Sequence, residues 1–276
     1  MTNTIIELMP AGVKGRLKLP PSKSHTLRAI LFASLARGTS HIDNILCSPD
    51  TDAMIEACQK LGACIKRHES SLEITGGINR DLKTVSIDAA NSGIVLRFMA
   101  AVCALTGARA TITGDESCQT RRPCRPLLEA LEQMGASTSS NNGLAPFALQ
   151  GPIYPAKVVM DGQDSQPVSA IMIAGAMLEG TTEICVLNAG EKPWLALTLD
   201  WLKRVGIEAR ETAKDCYTIE GRGVIAPFYY RVPADLSSLA FPVALALITE
   251  SELVIEDVDL GDIQGDKVVL AHLERM

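Results

Sequence analysis

The chain has 276 residues, enough for one large domain or two ordinary ones, and its 47% hydrophobic and 21% charged residues are typical of a globular protein. A formal net charge of -6 argues against a nucleic-acid partner, because phosphate backbones require clustered positive charge. No apolar stretch approaches the roughly 18 residues needed to span a bilayer, and the N-terminus lacks a secretory signal. We therefore expect a cytoplasmic protein that binds no membrane.

Cysteine, histidine and glycine patterns exclude several common sites. The eight cysteines contain no C-x-x-C pair, and the four histidines show no ligand spacing. The sequence also lacks G-x-x-x-x-G-K-[ST] and lacks G-x-G-x-x-G after a strand. We therefore expect reduced cysteines, no metal site and no nucleotide-binding loop.

The first predicted elements are a strand or hairpin within residues 4–19 and a helix that begins near Ser24 and runs to Arg37. Pro20 and Pro21 separate them, because proline cannot continue a helix behind it. A serine at this position can cap the helix.

The start of this helix has the features of an anion site. Its first amides have no intrahelical partner, and the helix dipole is positive there. The Ser24 and Thr26 hydroxyls and the cations Lys23 and Arg28 lie in the same turn. Most capped helices near basic residues are merely solvated, so this stretch alone is weak evidence for a site.

The order helix, strand, helix, strand, strand then recurs down the chain. Polar clusters precede the first helix of each copy, at Lys23-Ser24, Asn91-Ser92-Gly93, Ser165-Gln166 and Ser237-Ser238. Arg122-Pro123 is predicted to open the second helix of the second copy. For Ser237 and Ser238 we favour a plain capping role.

A glycine follows the second helix of the first three copies, at Gly62, Gly135 and Gly206, which gives a period of about 72 residues. The alternative is an ordinary α/β chain whose turn residues happen to be evenly spaced. If three units pack about a pseudo-threefold axis, their helix starts converge at one end and sum their positive dipoles. A further period would pass the last residue, so we expect this to be the N-terminal part, or a fragment, of a longer protein.

Four stretches carry a resemblance to a known family: LPPSKSHTLRA, AANSGIVLRFM, TGDESCQTRRPCRPLLEALEQMGA and DSQPVSA. They resemble the enolpyruvyl transferase family, in its branch that uses shikimate 3-phosphate. The resemblance implies an α/β (α+β) fold of βαβαββ units in pseudo-threefold assembly, with one complete domain plus part of a second. It places the complete domain at residues 22–228, with residues 1–21 and 229–276 in the other domain.

The resemblance also implies a reaction. The family transfers the enolpyruvyl group of phosphoenolpyruvate to the 5-hydroxyl of shikimate 3-phosphate and releases phosphate, on the pathway to chorismate and the aromatic amino acids. It implies no cofactor, no metal and a monomer when full length. The family's proton-transfer carboxylates are expected beyond Met276, so we expect the chain alone to be inactive.

The site residues implied by the resemblance fall into two groups. The implied shikimate 3-phosphate ligands are Lys23, Ser24, Arg28, Ser165 and Gln166. The implied phosphoenolpyruvate ligands are Lys23, Asn91, Gly93, Arg122 and Gln166.

Five residues depart from the family pattern. Asp164 replaces the first serine of S-S-Q, and an acid beside a bound phosphate is unfavourable unless it turns away. Glu191 replaces a serine and Trp194 a tyrosine. Ile94 and Phe98 replace a threonine and a proline, and this bulkier wall predicts altered sensitivity to glyphosate.

Two other functions stay open at this point. The sister enzyme that transfers enolpyruvyl to UDP-N-acetylglucosamine has a reactive cysteine in a loop, and Cys118 lies in such a loop. Against it, the first motif S-K-S-H-T-L-R is the shikimate pattern, and the surroundings of Cys118 do not guarantee a thiolate. The second alternative is a non-catalytic anion-binding module.

Overall fold

The computed structural model describes residues 11–275. Its helices are α1 (Lys23–Leu35), α2 (Pro49–Lys60), α3 (Gly93–Ala104), α4 (Glu116–Thr120), α5 (Arg125–Gln133), α6 (Ser165–Ala176), α7 (Lys192–Arg204), α8 (Leu236–Ile248) and α9 (Val268–Leu273), with a 3-10 turn at Gly265–Lys267. Its strands are β1 (Lys14–Lys18), β2 (Gly38–Asp43), β3 (Cys64–Arg67), β4 (Ser71–Gly76), β5 (Thr84–Asp88), β6 (Arg109–Thr113), β7 (Ser137–Asn141), β8 (Leu144–Gln150), β9 (Lys157–Asp161), β10 (Glu179–Leu187), β11 (Glu208–Ala213), β12 (Cys216–Arg222), β13 (Tyr229–Arg231) and β14 (Glu252–Glu256).

Three four-stranded sheets share one topology. Their strand orders are β13-β2-β4-β3, β5-β6-β8-β7 and β9-β10-β12-β11. In each sheet the first two strands are parallel and the remaining pairs are antiparallel. The predicted repeat of βαβαββ units and the mixed α/β class are therefore confirmed.

The first strand of each unit was not among the elements predicted from the chain order. In the second and third units it is β5 and β9, which directly precede the first helix. In the first unit it is β13, which comes from residues after the third unit and pairs with β2 from Tyr229↔His41 to Arg231↔Asp43. This strand lies just beyond residue 228, where the resemblance ends the complete domain; the boundary itself stays a prediction.

A further strand pair joins the two ends of the described chain. β1 pairs in parallel with β14, from Lys14↔Glu252 to Lys18↔Glu256. The part of the predicted N-terminal strand or hairpin that falls on residues 4–10 lies outside the described residues. No helix within residues 11–275 combines the length and the apolar character needed to cross a membrane.

The core is built around α1, α3 and α6. In α1 every residue from His25 to Leu35 is buried, and α3 and α6 are buried along almost their whole length. Helices that are apolar on all sides need neighbours on all sides, so these three take the centre while the sheets and α2, α5 and α7 surround them. With aromatics at 4% of the sequence, this core consists mainly of Leu, Ile, Val, Ala and Met.

The periodic glycines end the second helix of each unit. Gly62, Gly135 and Gly206 follow the caps of α2, α5 and α7 and have φ angles of 114°, 108° and 78°. Side chains are rarely tolerated at such φ values. In each case the next residue's N–H bonds back into the last helical turn, as from Ala63 to the Cys58 carbonyl. The period therefore reflects one backbone requirement met three times.

A second set of glycines marks where the last strand of each unit passes a buried helix. A Cβ added at Gly76 would lie 2.2 Å from the Ala33 carbonyl oxygen, and at Gly221 it would lie 2.2 Å from the Gly175 carbonyl oxygen. We expect Gly76→Ala to lower the free energy of unfolding by about 1–2 kcal/mol, because backbone must shift to admit the methyl group. Urea denaturation measures this change.

The matched control is Gly107→Ala, because a Cβ there meets nothing within 4 Å. Equal losses in the two variants would show that close packing against the helix end is not the cause.

A buried polar cluster ties α1 to residues far along the chain. His25 is fully buried; Trp201 donates its indole N–H to His25 Nδ1 at 3.1 Å, and the Tyr230 hydroxyl lies 2.6 Å from the same nitrogen. Indole nitrogen only donates, so Nδ1 accepts and the ring proton resides on Nε2, which lies 3.2 Å from Asp262 Oδ1. The cluster therefore holds the loop containing Asp262 against α1.

This cluster predicts an acid-sensitive contribution to stability. Burial alone would raise the pKa of Asp262, but the hydrogen bond from His25 and the hydrogen bonds from Gln264 lower it to about 2. Since the unfolded value is about 3.9, the contribution is present above about pH 4 and is lost as the pH falls through about 2. We expect Asp262→Asn to cost at most about 2 kcal/mol at pH 7 and progressively less below pH 4.

Urea denaturation of the variant and the wild type at pH 7, 4 and 2.5 measures this difference. A difference that stays constant with pH would contradict the role of the carboxylate charge.

Candidate active site

The first residues of the three central helices line one cavity of about 230 Å³. Lys23 begins α1, Gly93 begins α3 and Ser165 begins α6, and the helix caps immediately before them are Ser22, Ser92 and Asp164. The lining also includes Ser24, Arg28, Asp50, Ile94, Arg122, Gln166, Glu191 and Trp194. The predicted convergence of helix starts is confirmed, so three positive helix ends face one space.

Arg28 is the buried cation of this cavity. Only 2% of the residue is exposed, and its Nε and Nη2 donate to the Thr198 hydroxyl at 3.2 and 2.9 Å. Its Nη1 donates to the Ser24 carbonyl, and the guanidinium lies 5.3 Å from the centre of the Phe98 ring. Burial lowers the pKa of Arg28 to about 9.

Within residues 11–275 no carboxylate forms an ion pair with Arg28. Burying a charge is costly unless it is paired, and the cavity is the open side of this guanidinium. A bound anion is the partner that would offset this cost.

Thr26 does not take part, contrary to the expectation for its hydroxyl. It is fully buried, donates its hydroxyl to the Ser22 carbonyl at 2.8 Å and accepts from the Leu46 N–H at 3.1 Å. Both bonds point into the protein, where they join α1 to the loop before α2.

A second group of polar side chains surrounds Gly93. Arg97 donates from Nη1 to the Gln166 side-chain oxygen at 2.7 Å, so the amide NH₂ of Gln166 remains as a donor for the cavity. A Cβ on Gly93 would lie 2.6 Å from Arg122 Nη1 and 2.9 Å from Arg97 Nη1. Glycine therefore lets the two arginines approach the start of α3.

Arg122 reaches the cavity from a loop, not from the helix start predicted for it. A short helix, α4, ends at Thr120, and α5 begins at Arg125 with Pro126 in its first turn. The sequence offers two R-P pairs, at Arg122-Pro123 and Arg125-Pro126, and the second one opens the helix.

Asp164 turns away from the cavity. Its Oδ2 pairs with Arg97 at 2.8 Å, and its Oδ1 accepts from the Gln166 N–H at 2.9 Å as the cap of α6. The departure at this position is thus accommodated, because the carboxylate is directed to a cation and to the helix amides. It also braces the arginine that orients Gln166.

Glu191 does the opposite and enters the cavity. Its Oε2 accepts from the Ser165 hydroxyl at 2.7 Å and from the Ser165 N–H at 3.3 Å. This carboxylate therefore occupies the donors at the start of α6. With Asp50, it sets two carboxylates against Lys23, Arg28 and Arg122 in the lining.

Most of the predicted ligands come together, and one does not. Those in the lining are Lys23, Ser24, Arg28, Gly93, Arg122, Ser165 and Gln166. Asn91 is exposed and lies two residues before the start of α3, outside the lining.

Sequence reasoning missed Asp50, Arg97 and Thr198. Arg97 follows Gly93 by four residues on one helix, a spacing that places both on the same face and could have indicated it. Asp50 resembles any acid in a first helical turn, and no local pattern links Thr198 to Arg28.

Cys118 is buried, and its thiol donates to the Ala90 carbonyl at 3.4 Å. Burial raises the pKa of this thiol, so a thiolate is disfavoured. Among the described residues, no group of three His, Cys, Asp or Glu side chains is placed to hold a metal ion.

Comparison with known proteins decides the family. Residues 9–276 match the family model of EPSP synthase, 3-phosphoshikimate 1-carboxyvinyltransferase. The chain belongs to the EPSP synthase family. Curated relatives named 3-phosphoshikimate 1-carboxyvinyltransferase, a transferase, include that of Chlamydia caviae, 42% identical over 98% of this chain, and that of Chlamydia trachomatis serovar D, 38% identical over 100% of this chain.

The EPSP synthase fold extends to more distant relatives. A solved EPSP synthase of Acinetobacter baumannii is 25% identical and superposes with a TM-score of 0.74, covering 90% of this chain and 56% of the other. The chain spans 61% of the Chlamydia caviae relative and 63% of the Chlamydia trachomatis relative. The cavity described above thus belongs to the part of an EPSP synthase that this chain matches.

Proposed function

We propose that this chain supplies the shikimate 3-phosphate site, and part of the phosphoenolpyruvate site, of a 3-phosphoshikimate 1-carboxyvinyltransferase. The reaction moves the enolpyruvyl group of phosphoenolpyruvate to the 5-hydroxyl of shikimate 3-phosphate and releases phosphate. The observation that carries this proposal is the buried Arg28, which has no carboxylate partner among the described residues and lies beside three converging helix starts. Such an arrangement favours the binding of anions of defined shape, which positive charge dispersed over a surface does not.

In this proposal the two substrates occupy the two groups of polar side chains. Shikimate 3-phosphate lies against Lys23, Ser24, Arg28, Ser165 and Gln166. Phosphoenolpyruvate lies against Lys23, Asn91, Gly93, Arg122 and Gln166; of these, Asn91 lies outside the cavity lining. Lys23 and Gln166 belong to both groups and stand between the two anions.

Both substrates are anionic, so the cations and amides offset their mutual repulsion and hold the reacting carbon near the attacking hydroxyl. The hydroxyl must lose a proton, and the methylene carbon must gain one. We propose that the groups for these steps belong to segments of the relatives that this chain does not match. On that basis the chain alone binds substrate and does not turn it over.

The remaining features of the proposal follow the family resemblance. Residues 22–228 are proposed as the complete substrate-binding domain, with residues 1–21 and 229–276 in the second. The protein is proposed to act in the cytoplasm, as a monomer when full length and without cofactor or metal. Ile94 in the cavity lining and Phe98 beneath Arg28 support the proposed change in glyphosate sensitivity.

Calorimetric titration of shikimate 3-phosphate into the chain tests the proposal. We expect saturable binding with one site per chain, and we expect phosphoenolpyruvate to bind more tightly once shikimate 3-phosphate is present. Titration of UDP-N-acetylglucosamine is the control, because the burial of Cys118 speaks against the sister reaction. Binding of the nucleotide sugar in place of shikimate 3-phosphate would overturn the assignment. Binding of both shikimate 3-phosphate and phosphoenolpyruvate, without any turnover by a full-length relative, would favour an anion-binding module.

A further inference from the structure

Two cysteines face each other on the outer side of the third sheet. Cys185 in β10 and Cys216 in β12 are directly opposite in an antiparallel pair, and both are partly exposed. The Cys185 and Cys216 sulfur atoms lie 2.7 Å apart. Neither residue lines the cavity described above.

The backbone at this point is suited to a cross-strand link. The neighbouring pair, Val186 and Asp215, is joined by a backbone hydrogen bond of 2.8 Å. Hydrogen-bonded and non-hydrogen-bonded pairs alternate along antiparallel strands, so Cys185 and Cys216 form a non-hydrogen-bonded pair. The Cα atoms of such pairs are about 4.5 Å apart, which lies within the range that disulfides span.

We propose that Cys185 and Cys216 form a reversible dithiol–disulfide site, oxidised by small-molecule disulfides such as oxidised glutathione. The proposal does not rest on the proposed function. It depends only on the strand register and on access of a small disulfide to the outer face of the sheet.

The exchange proceeds in two balanced steps. The Cys185 thiolate attacks one sulfur of oxidised glutathione, forming a mixed disulfide and expelling one glutathione thiolate, which takes up a proton. The Cys216 thiol then loses its proton, attacks the Cys185 sulfur and expels the second glutathione. Two electrons pass from the cysteine pair to oxidised glutathione, and two reduced glutathione molecules leave.

The two thiols of the pair are not equivalent. The interaction with the Cys185 sulfur, together with burial, raises the pKa of Cys216. The raised pKa disfavours Cys216 as the first nucleophile, so we assign the first attack to Cys185. By contrast, burial raises the pKa of Cys58 and Cys103 to about 12, so these thiols contribute little thiolate.

The link would brace the third unit close to α7. It closes a loop that contains the whole of α7, and Asp215, next to Cys216, forms an ion pair with Lys192 at the start of that helix, with N and O atoms 2.5 Å apart. Closing a loop of this size restricts the unfolded chain. We expect the oxidised chain to unfold about 5 °C or more above the reduced chain.

The test uses the full chain carrying Cys47→Ser and Cys64→Ser, which removes the two exposed cysteines that would otherwise form adducts. The chain is incubated with oxidised glutathione, and intact-mass and peptide mass spectrometry follow the product. We expect the loss of two hydrogen atoms, a peptide linked between Cys185 and Cys216, and full reversal by reduced glutathione or dithiothreitol.

Cys185→Ser and Cys216→Ser serve as separate variants, so that one folding failure leaves the other informative. Each should lack the link and carry a single glutathione on the remaining cysteine of the pair. A link mapped to other cysteines, a stable glutathione adduct on Cys185 in the parent chain, or no reaction at either residue would overturn the proposal.

Discussion

Arg28→Ala is expected to weaken shikimate 3-phosphate binding about 100-fold. Arg28 is the buried guanidinium that faces the cavity, and hydrogen bonds to a charged group contribute about 1.5–3 kcal/mol each. Calorimetric titration measures the loss. Arg28→Lys should recover only part of the affinity, because lysine keeps the charge and loses the planar fork.

Two further variants separate binding from folding. Thr198→Val removes the hydroxyl that accepts from Arg28 Nε and Nη2 while leaving the charge in place, so we expect a smaller loss. Arg37→Ala removes an exposed cation outside the lining and should leave affinity unchanged. Wild-type affinity in a folded Arg28→Ala variant would refute the role assigned to this arginine.

Glu191→Ser is expected to tighten shikimate 3-phosphate binding about 30-fold, equivalent to about 2 kcal/mol. In the structure the Glu191 carboxylate takes both donors of Ser165, which the proposed substrate requires. A bound anion must displace this carboxylate and tolerate its charge nearby. Serine removes the competing charge and frees the N–H and hydroxyl of Ser165.

The charge and the hydrogen bonds are separable here. Glu191→Gln removes the charge but keeps an oxygen that can accept from Ser165, so we expect an intermediate gain. Glu129→Ser, on the exposed side of α5, changes the net charge equally and should have no effect at moderate salt. Weaker binding in Glu191→Ser would mean that Glu191 contacts the substrate favourably.

The two acidic departures from the family pattern have different consequences, although both lie near the start of α6. Asp164 is directed to Arg97 and to the cap of the helix, so it supports the site without facing it. Glu191 follows β10, lines the cavity and accepts the hydrogen bond of the Ser165 hydroxyl. Only the positions of the strands and helices distinguish these outcomes, since both residues are simply acids beside a predicted phosphate site.

Much of the site could be predicted from local sequence signals. Lys23, Gly93 and Ser165 stand at helix starts, and helix starts are marked within a few residues by caps, prolines and the onset of apolar spacing. Arg122 was predicted as a site residue, but its helix was misplaced because a second R-P pair follows three residues later. Asn91 shares the same polar cluster as Gly93, yet it precedes Ser92, the cap of α3, and lies outside the lining.

The sequence by itself determined the repeat and the order of most elements, and it predicted the convergence of three positive helix ends only on the condition that the units pack about one axis. These depend on spacing within a helix or turn and on glycines at positive φ, which any copy of the pattern must satisfy. Only the tertiary structure decided that β13 completes the first sheet, that Thr198 holds Arg28 and that Glu191 occupies the donors of Ser165. Each of these contacts joins residues far apart in the chain. Packing and charge in the folded protein determine such contacts, and local sequence propensity does not indicate them.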